Sequence, residues 1–245
     1  MTKDQPLLRL CAKLQAFFHK PFFTNPRTLF GLWTLLAVVA GLTKMAPHRH
    51  NNFLIFRGVF WHTIQKLSLY DFYPTEYNDH NHYGPIFSLV IAPFAVVPDA
   101  IGLLGWLVVL ALGMYYAVRR LPLEEGRQIF LYWFCAHELL TALQMQQFNI
   151  AIAAIIIGSF AAIEKGREVT AAFLIVLGTF VKLYGVVGLA FFFFVKRKPR
   201  FILALIGWSV VCFVAPMLIS SPEYVVGQYV EWYERLAAKN GENTF

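Results

Sequence analysis

Long apolar runs that carry charge only at their ends constrain this chain more than any other feature. Thr28–Met45 and Ala100–Val118 are each about eighteen residues or longer, enough for a helix to cross a bilayer core. Only 14% of the residues are charged and 58% are hydrophobic. Soluble domains carry about a quarter charged residues, and a surface needs polar groups to cover it. The chain reads as an all-α, polytopic membrane protein forming a single domain over residues 1–245.

The net charge of +7 invites a nucleic-acid reading, but the positions of the cations exclude it. They sit in short clusters at the ends of apolar runs: Lys13, Lys20 and Arg27; Arg119 and Arg120; Lys165 and Arg167; Lys196 to Arg200. Lys and Arg placed this way mark cytoplasmic loops. The N-terminus is therefore expected inside, preceded by no cleavable signal, with Phe17, Phe18, Phe22 and Phe23 resting on the inner surface. Cys11, Cys135 and Cys212 lack paired spacing and read as small buried hydrophobes.

Between the first two long runs lies a polar loop of roughly thirty-five residues, Asn51–Pro85, rich in His, Asp and aromatic side chains; loops of that length tend to be functional. It is expected outside. Phe53, Phe56, Phe60, Ile64 and Leu67 recur at gaps of three and four, which predicts an amphipathic helix lying in the interface with Trp61 as anchor. Pro85–Val97 is too short for an ordinary span and is expected to be re-entrant.

Downstream, apolar runs flank Gln144–Asn149, Glu164–Glu168 and Lys182. A continuous Ala171–Val195 helix would bury Lys182 at mid-membrane. Two half-length helices would place it at their outer junction and keep both flanking basic loops inside, and that arrangement is preferred. Phe201–Ser220 then crosses outward and Ser221–Phe245 lies outside, with Trp232 and Tyr233 near the interface. About seven or eight membrane segments result.

Ionisable residues at membrane depth are functional candidates by default. Lys182 suits a phosphate as a point-charge partner, against the alternative that it snorkels to the headgroups. Glu138 could receive a hydroxyl or pair with His137. In the loop, Asp71, Glu76, Asp79, His62, His80 and His82 offer carboxylates and imidazoles for general-base work. An i, i+2 His pair in an irregular loop is a weak metal signal, so no metal or other cofactor is expected.

The order of these features resembles glycosyltransferase family 87. Leu69-Tyr70, then Tyr83-Gly84-Pro85-Ile86-Phe87, then Pro93 and Pro98 stand where the family has its LY, Y-x-P-x-F and paired-proline phrases. Gln146-Gln147-Phe148-Asn149 corresponds to its Gly-Gln-x-Asn, and Lys182 with Lys196–Arg200 to its later Lys and basic cluster. The resemblance runs over nearly all of the chain from Thr28. It implies a GT-C-type bundle in the bacterial inner membrane that moves a sugar, typically mannose, from a polyprenyl phosphate to a glycan or glycolipid acceptor outside. On that basis Lys182 and Arg57 are expected on the donor phosphate and Asn52, His82, Tyr83, Glu138, Gln147 and Asn149 around the sugar. The base is expected to be Asp79, with Asp71 second, standing in for a family Asp that is absent here, the other outcome being an inactive chain.

Two positions depart from the family pattern. The Asp expected after the first helix is Asn51 or Asn52, and the Gly before Gln147 is Gln146. Members also run on well beyond this length, which implies an incomplete copy. A transporter or lipid flippase, built on broken helices and a buried Lys, is the main rival reading, and a non-catalytic partner of an intact transferase is the third. Transport needs polar residues along both halves of a path, and Ile150–Ile163 and Phe201–Ile219 carry no charged, amide or imidazole side chain.

Overall fold

The computed structural model describes residues 20–46 and 50–242, and every regular element among them is helical. Helix α1 (Pro26–Lys44) starts with Pro26 in its first turn and the Asn25 side chain accepting from the Arg27 N–H at 2.8 Å. Both devices suit a helix start: the proline lacks a donor that would go unpaired, and the amide oxygen satisfies one. α2 (Asn51–Gln65) and the nine-residue α3 (Phe87–Ala95) follow, then α4 (Asp99–Arg120), with an acid in its first turn and Arg119 and Arg120 in its last. Those charges oppose the helix dipole at both ends. α5 (Glu125–Phe134) and α6 (Ala136–Gln144) lead to α7 (Asn149–Glu164), α8 (Glu168–Val181), a 3-10 helix over Leu183–Phe194, α9 (Lys198–Val214) and α10 (Pro222–Glu242).

Among the described residues, three helical runs are long and apolar enough to cross a membrane: Pro26–Lys44, Asp99–Arg120 and Lys198–Leu218. α3 is about 13.5 Å long at 1.5 Å per residue, less than half a hydrocarbon core, and packs along α2. α7, α8 and the 3-10 helix are shorter apolar rods. The last two form the expected pair of half-length helices around Lys182. A Cβ on Gly185 would lie 2.2 Å from backbone atoms of Gly178 and Thr179, and one on Gly188 would meet Ile175. The two rods therefore run antiparallel with backbones touching, which only glycine permits there.

The bundle has two chemically distinct ends. Arg120, Lys165 and Arg167 line one hollow, and Arg197 pairs with Glu168 at the same end. At the opposite end gather the Asn51–Gly84 segment, Gln147, Asn149 and Lys182. The core joins them through buried aromatics. Trp33 meets Tyr132 edge-on at 5.2 Å, and Phe56 and Phe87 pack at 5.2 Å beneath the polar end.

Two sequence expectations change in form. Of the apolar stripe on α2, Phe53, Phe56 and Phe60 are buried in the protein core, while Ile64 and Leu67 are exposed. The periodicity marks a face that seeks apolar surroundings, and here most of that face finds protein. Trp61 donates its indole N–H to the Ala95 carbonyl at 3.2 Å. Ser221–Phe245, expected only to lie outside with Trp232 and Tyr233 near the interface, holds helix α10, whose Gln228, Tyr224 and Trp232 bond back to the loop. Of the N-terminal aromatics, Phe17 and Phe18 lie outside the described residues, as does Cys11. Phe23 packs on Trp133 at 5.5 Å.

Candidate functional site

At the polar end of the bundle, α2, the loop after it, α7 and the Lys182 junction enclose a hollow of about 160 Å³. Its walls carry Asn52, Asp79, His80 and His82 on one side, and Gln147, Asn149 and Lys182 on the other, with Tyr83 between them. Lys182 sits in extended backbone between its two short helices, and its ammonium donates to Asn149 Oδ1 at 2.7 Å. The same Nζ lies 5.6 Å from the Tyr83 ring centre and 5.2 Å from that of Tyr184. An amide oxygen and two aromatic faces are among the groups that hold this charge in place. An ammonium so placed is a point-charge partner that suits an anionic group such as a phosphate.

The floor is aromatic. Tyr83 stacks on Phe87 at 4.8 Å, Phe87 meets Phe148 at 5.2 Å, and Phe148 stacks on Trp106 at 5.9 Å. Burial pushes the Tyr83 hydroxyl well above the ordinary tyrosine range. It stays protonated and adds no negative charge beside Lys182.

The loop is pinned where it meets Lys182. Gly84 N–H donates to the Val181 carbonyl at 3.0 Å. A Cβ at Gly84 would lie 2.0 Å from the Phe180 carbonyl oxygen and 3.0 Å from Trp232, so only glycine allows this approach. The Tyr83 carbonyl accepts from the Tyr70 hydroxyl and from buried Asn81. α10 closes the loop from outside. Trp232 donates to the His82 carbonyl at 3.1 Å, Gln228 accepts from Leu69 N–H at 2.7 Å, and Tyr224 donates to the Leu67 carbonyl at 2.6 Å.

The two departures from the family pattern have structural explanations. Gln146 ends α6 with φ +53, the left-handed region that favours glycine. It is 3% exposed, and its side-chain oxygen accepts from the Phe53 N–H at 3.3 Å, near the start of α2. The side chain offsets with a cap part of the strain its Cβ introduces. Asn52 donates its amide to the Met145 carbonyl at 2.7 Å, a bond that an aspartate could not make. Asn51 instead accepts, from Asn78 N–H at 2.7 Å. A carboxylate would serve equally well there.

Not every expected residue joins this hollow. Arg57 pairs with Asp99 and donates to the Ala95 carbonyl at 3.1 Å, so it braces α2 against the α3–α4 corner. Asp71 is exposed and is not among the residues lining the hollow. Glu138 lines a neighbouring, mostly apolar hollow of about 270 Å³ that shares Gln147 and Asn149 with the polar one. His62 is buried against the Tyr73 ring and contacts Glu76 at 3.1 Å, away from the hollow. No group of three or more potential metal ligands occurs among the described residues. The clamp from α10 and the role of Gln146 were missed from sequence. The latter had a signal, a non-glycine where a helix-ending glycine belongs.

The profile of glycosyltransferase family 87 matches residues 81–245 of this chain. Comparison with curated proteins and with solved structures returns no match.

Proposed function

The chain belongs to glycosyltransferase family 87, and from that premise we propose that the Lys182 hollow transfers a hexose, mannose foremost, from a polyprenyl phosphate to an acceptor hydroxyl outside the membrane. The observation that carries this reading is the convergence of Asp79, Lys182, Asn149 and Gln147 on one small polar hollow at a single end of an apolar bundle. Lys182 holds the donor phosphate, where charge grows as the leaving group departs. The acceptor oxygen attacks the anomeric carbon and the carbon–oxygen bond to phosphate breaks. The phosphate takes the electron pair and the acceptor's proton passes to the Asp79 carboxylate. One such displacement inverts the anomeric centre. Asn52, His82, Tyr83, Gln147 and Asn149 surround the sugar. Glu138 borders the apolar hollow next door, which suits the first isoprenoid units of the donor. Arg57, held by Asp99, has a structural role in this scheme.

A transport path would need polar side chains through both halves of the bundle. Between the two ends, Ser159 is the one polar side chain of α7 from Ile150 to Ile163, and its hydroxyl donates to the Ile156 carbonyl at 2.8 Å, which favours transfer over translocation. The test is sugar transfer from a radiolabelled polyprenyl-phosphate hexose in membranes containing the chain, compared with Lys182→Ala membranes. Label should enter an acceptor in the first and fall to near background in the second. Equal labelling in both would reject the assignment.

A further inference from the structure

At the end of the bundle away from Lys182, a hollow of about 400 Å³ lies between α4, α7 and α8. Its walls follow helical spacing: Gly113, Ala117 and Arg120 on α4, and Ala154, Gly158 and Ala161 on α7. Both helices rise toward the same mouth, and their small side chains leave the space open; a Cβ at Gly113 would have no neighbour within 4 Å. Three cations stand at the mouth, Arg120, Lys165 and Arg167, all exposed, and none of the residues lining the hollow is acidic. The nearest buried acid, Glu168, is engaged by Arg197 at 3.2 Å, while Glu164 faces solvent. Arg120 has a carbonyl and a ring as partners, the Tyr116 oxygen at 3.5 Å and the Tyr116 face at 6.0 Å.

We propose that this hollow is a binding site for an anionic glycerophospholipid, with an acyl chain between α4 and α7 and the phosphate at Arg120, Lys165 and Arg167. A free anion would need no apolar walls, and a neutral lipid would leave the cations without a partner. Basic pockets between membrane helices bind anionic headgroups for this reason: apolar area and charge both contribute, and at headgroup depth the charges are only partly screened. The site is independent of the Lys182 chemistry, since it lies at the other end of the bundle.

The test uses the full chain purified in neutral detergent, with dioleoyl phosphatidylglycerol, dioleoyl phosphatidylcholine and soluble glycerol phosphate as probes. Bound lipid is counted by native mass spectrometry during titration. The wild type should hold one phosphatidylglycerol at least tenfold more tightly than phosphatidylcholine, and glycerol phosphate should not saturate. The triple change Arg120→Gln, Lys165→Gln, Arg167→Gln should erase that preference. The change Lys196→Gln, Lys198→Gln, Arg200→Gln, equal in charge at the same end, should leave it. Gly158→Leu should weaken both lipids by filling the groove; if that variant does not fold, Ala154→Leu serves the same purpose. No lipid preference in the wild type, a preference that survives the first triple change, or tight binding of glycerol phosphate would overturn the proposal.

Discussion

Lys182 Nζ and Asn149 Oδ1 lie 2.7 Å apart, joining the break between two half-length helices to the start of α7. The amide holds a cation at the mouth of the hollow and, being neutral, does not cancel its charge. Lys182→Ala is therefore expected to weaken use of a phosphorylated donor by about 1.5–3 kcal/mol, the range for hydrogen bonds to charged groups. Lys182→Arg should recover part of this, because charge survives while geometry changes. Asn149→Ala, which removes this amide partner but keeps the ammonium, should lose roughly tenfold. Donor titrations in membranes carrying each variant give the comparison.

Gln146 makes a separable prediction about stability. Its φ of +53 costs a residue with a Cβ about 1 kcal/mol relative to glycine, and its side chain offsets this by capping Phe53 N–H. Gln146→Ala keeps the strain and loses the cap; Gln146→Gly loses both. The alanine variant should therefore melt below the glycine variant by an amount equivalent to about 1 kcal/mol. The opposite order would mean that the backbone at this position is not left-handed.

Gly84 is expected to tolerate no side chain. Gly84→Ala would drive a Cβ against the Phe180 carbonyl oxygen and lift Tyr83 away from Lys182. It should lower both melting temperature and transfer. Gly207→Ala, in the middle of α9 with open space around it, should be neutral or slightly stabilising, since alanine favours a helix over glycine by about 0.5–1 kcal/mol. Thermal melts of the pair in one detergent decide the point.

The parts of this structure that were legible in sequence rest on local signals. Lys182 between two apolar runs of about a dozen residues, with basic clusters beyond both, implied a hairpin. The loop's density of polar groups marked the end where the hollow forms. The rest depends on long-range register, which carries no local signal. The amide of Asn52 finds Met145, 93 residues away, and Trp232 finds His82, 150 residues away. Arg57 reads as a donor-phosphate cation until Asp99 is seen beside it. The α2 stripe fails differently: a period of 3.6 identifies an apolar face without saying whether lipid or protein will cover it.

Segregation of the two ends predicts a topology that labelling can check. Thr75 is exposed in the loop and Lys196 is exposed at the basic end. Single cysteines at these positions, in a background without native thiols, should react with an impermeant reagent from opposite sides of the membrane, Thr75→Cys from outside. Asn81 would be a poor choice because it is 1% exposed and bonded to the Tyr83 backbone. Same-side labelling would contradict the arrangement of the Lys182 hairpin.

The most direct measurement is single-turnover transfer from a radiolabelled polyprenyl-phosphate hexose by wild type and Asp79→Asn, with donor binding followed in parallel. Asparagine keeps the size of Asp79 and can still accept the bond from His80 N–H, which Asp79 Oδ1 receives at 2.7 Å, but it cannot take a proton. The expected result is a fall in rate of about a hundred- to ten-thousandfold, with donor affinity unchanged. Wild-type transfer by Asp79→Asn, or no transfer by a folded wild type supplied with donor and acceptor, would contradict the account.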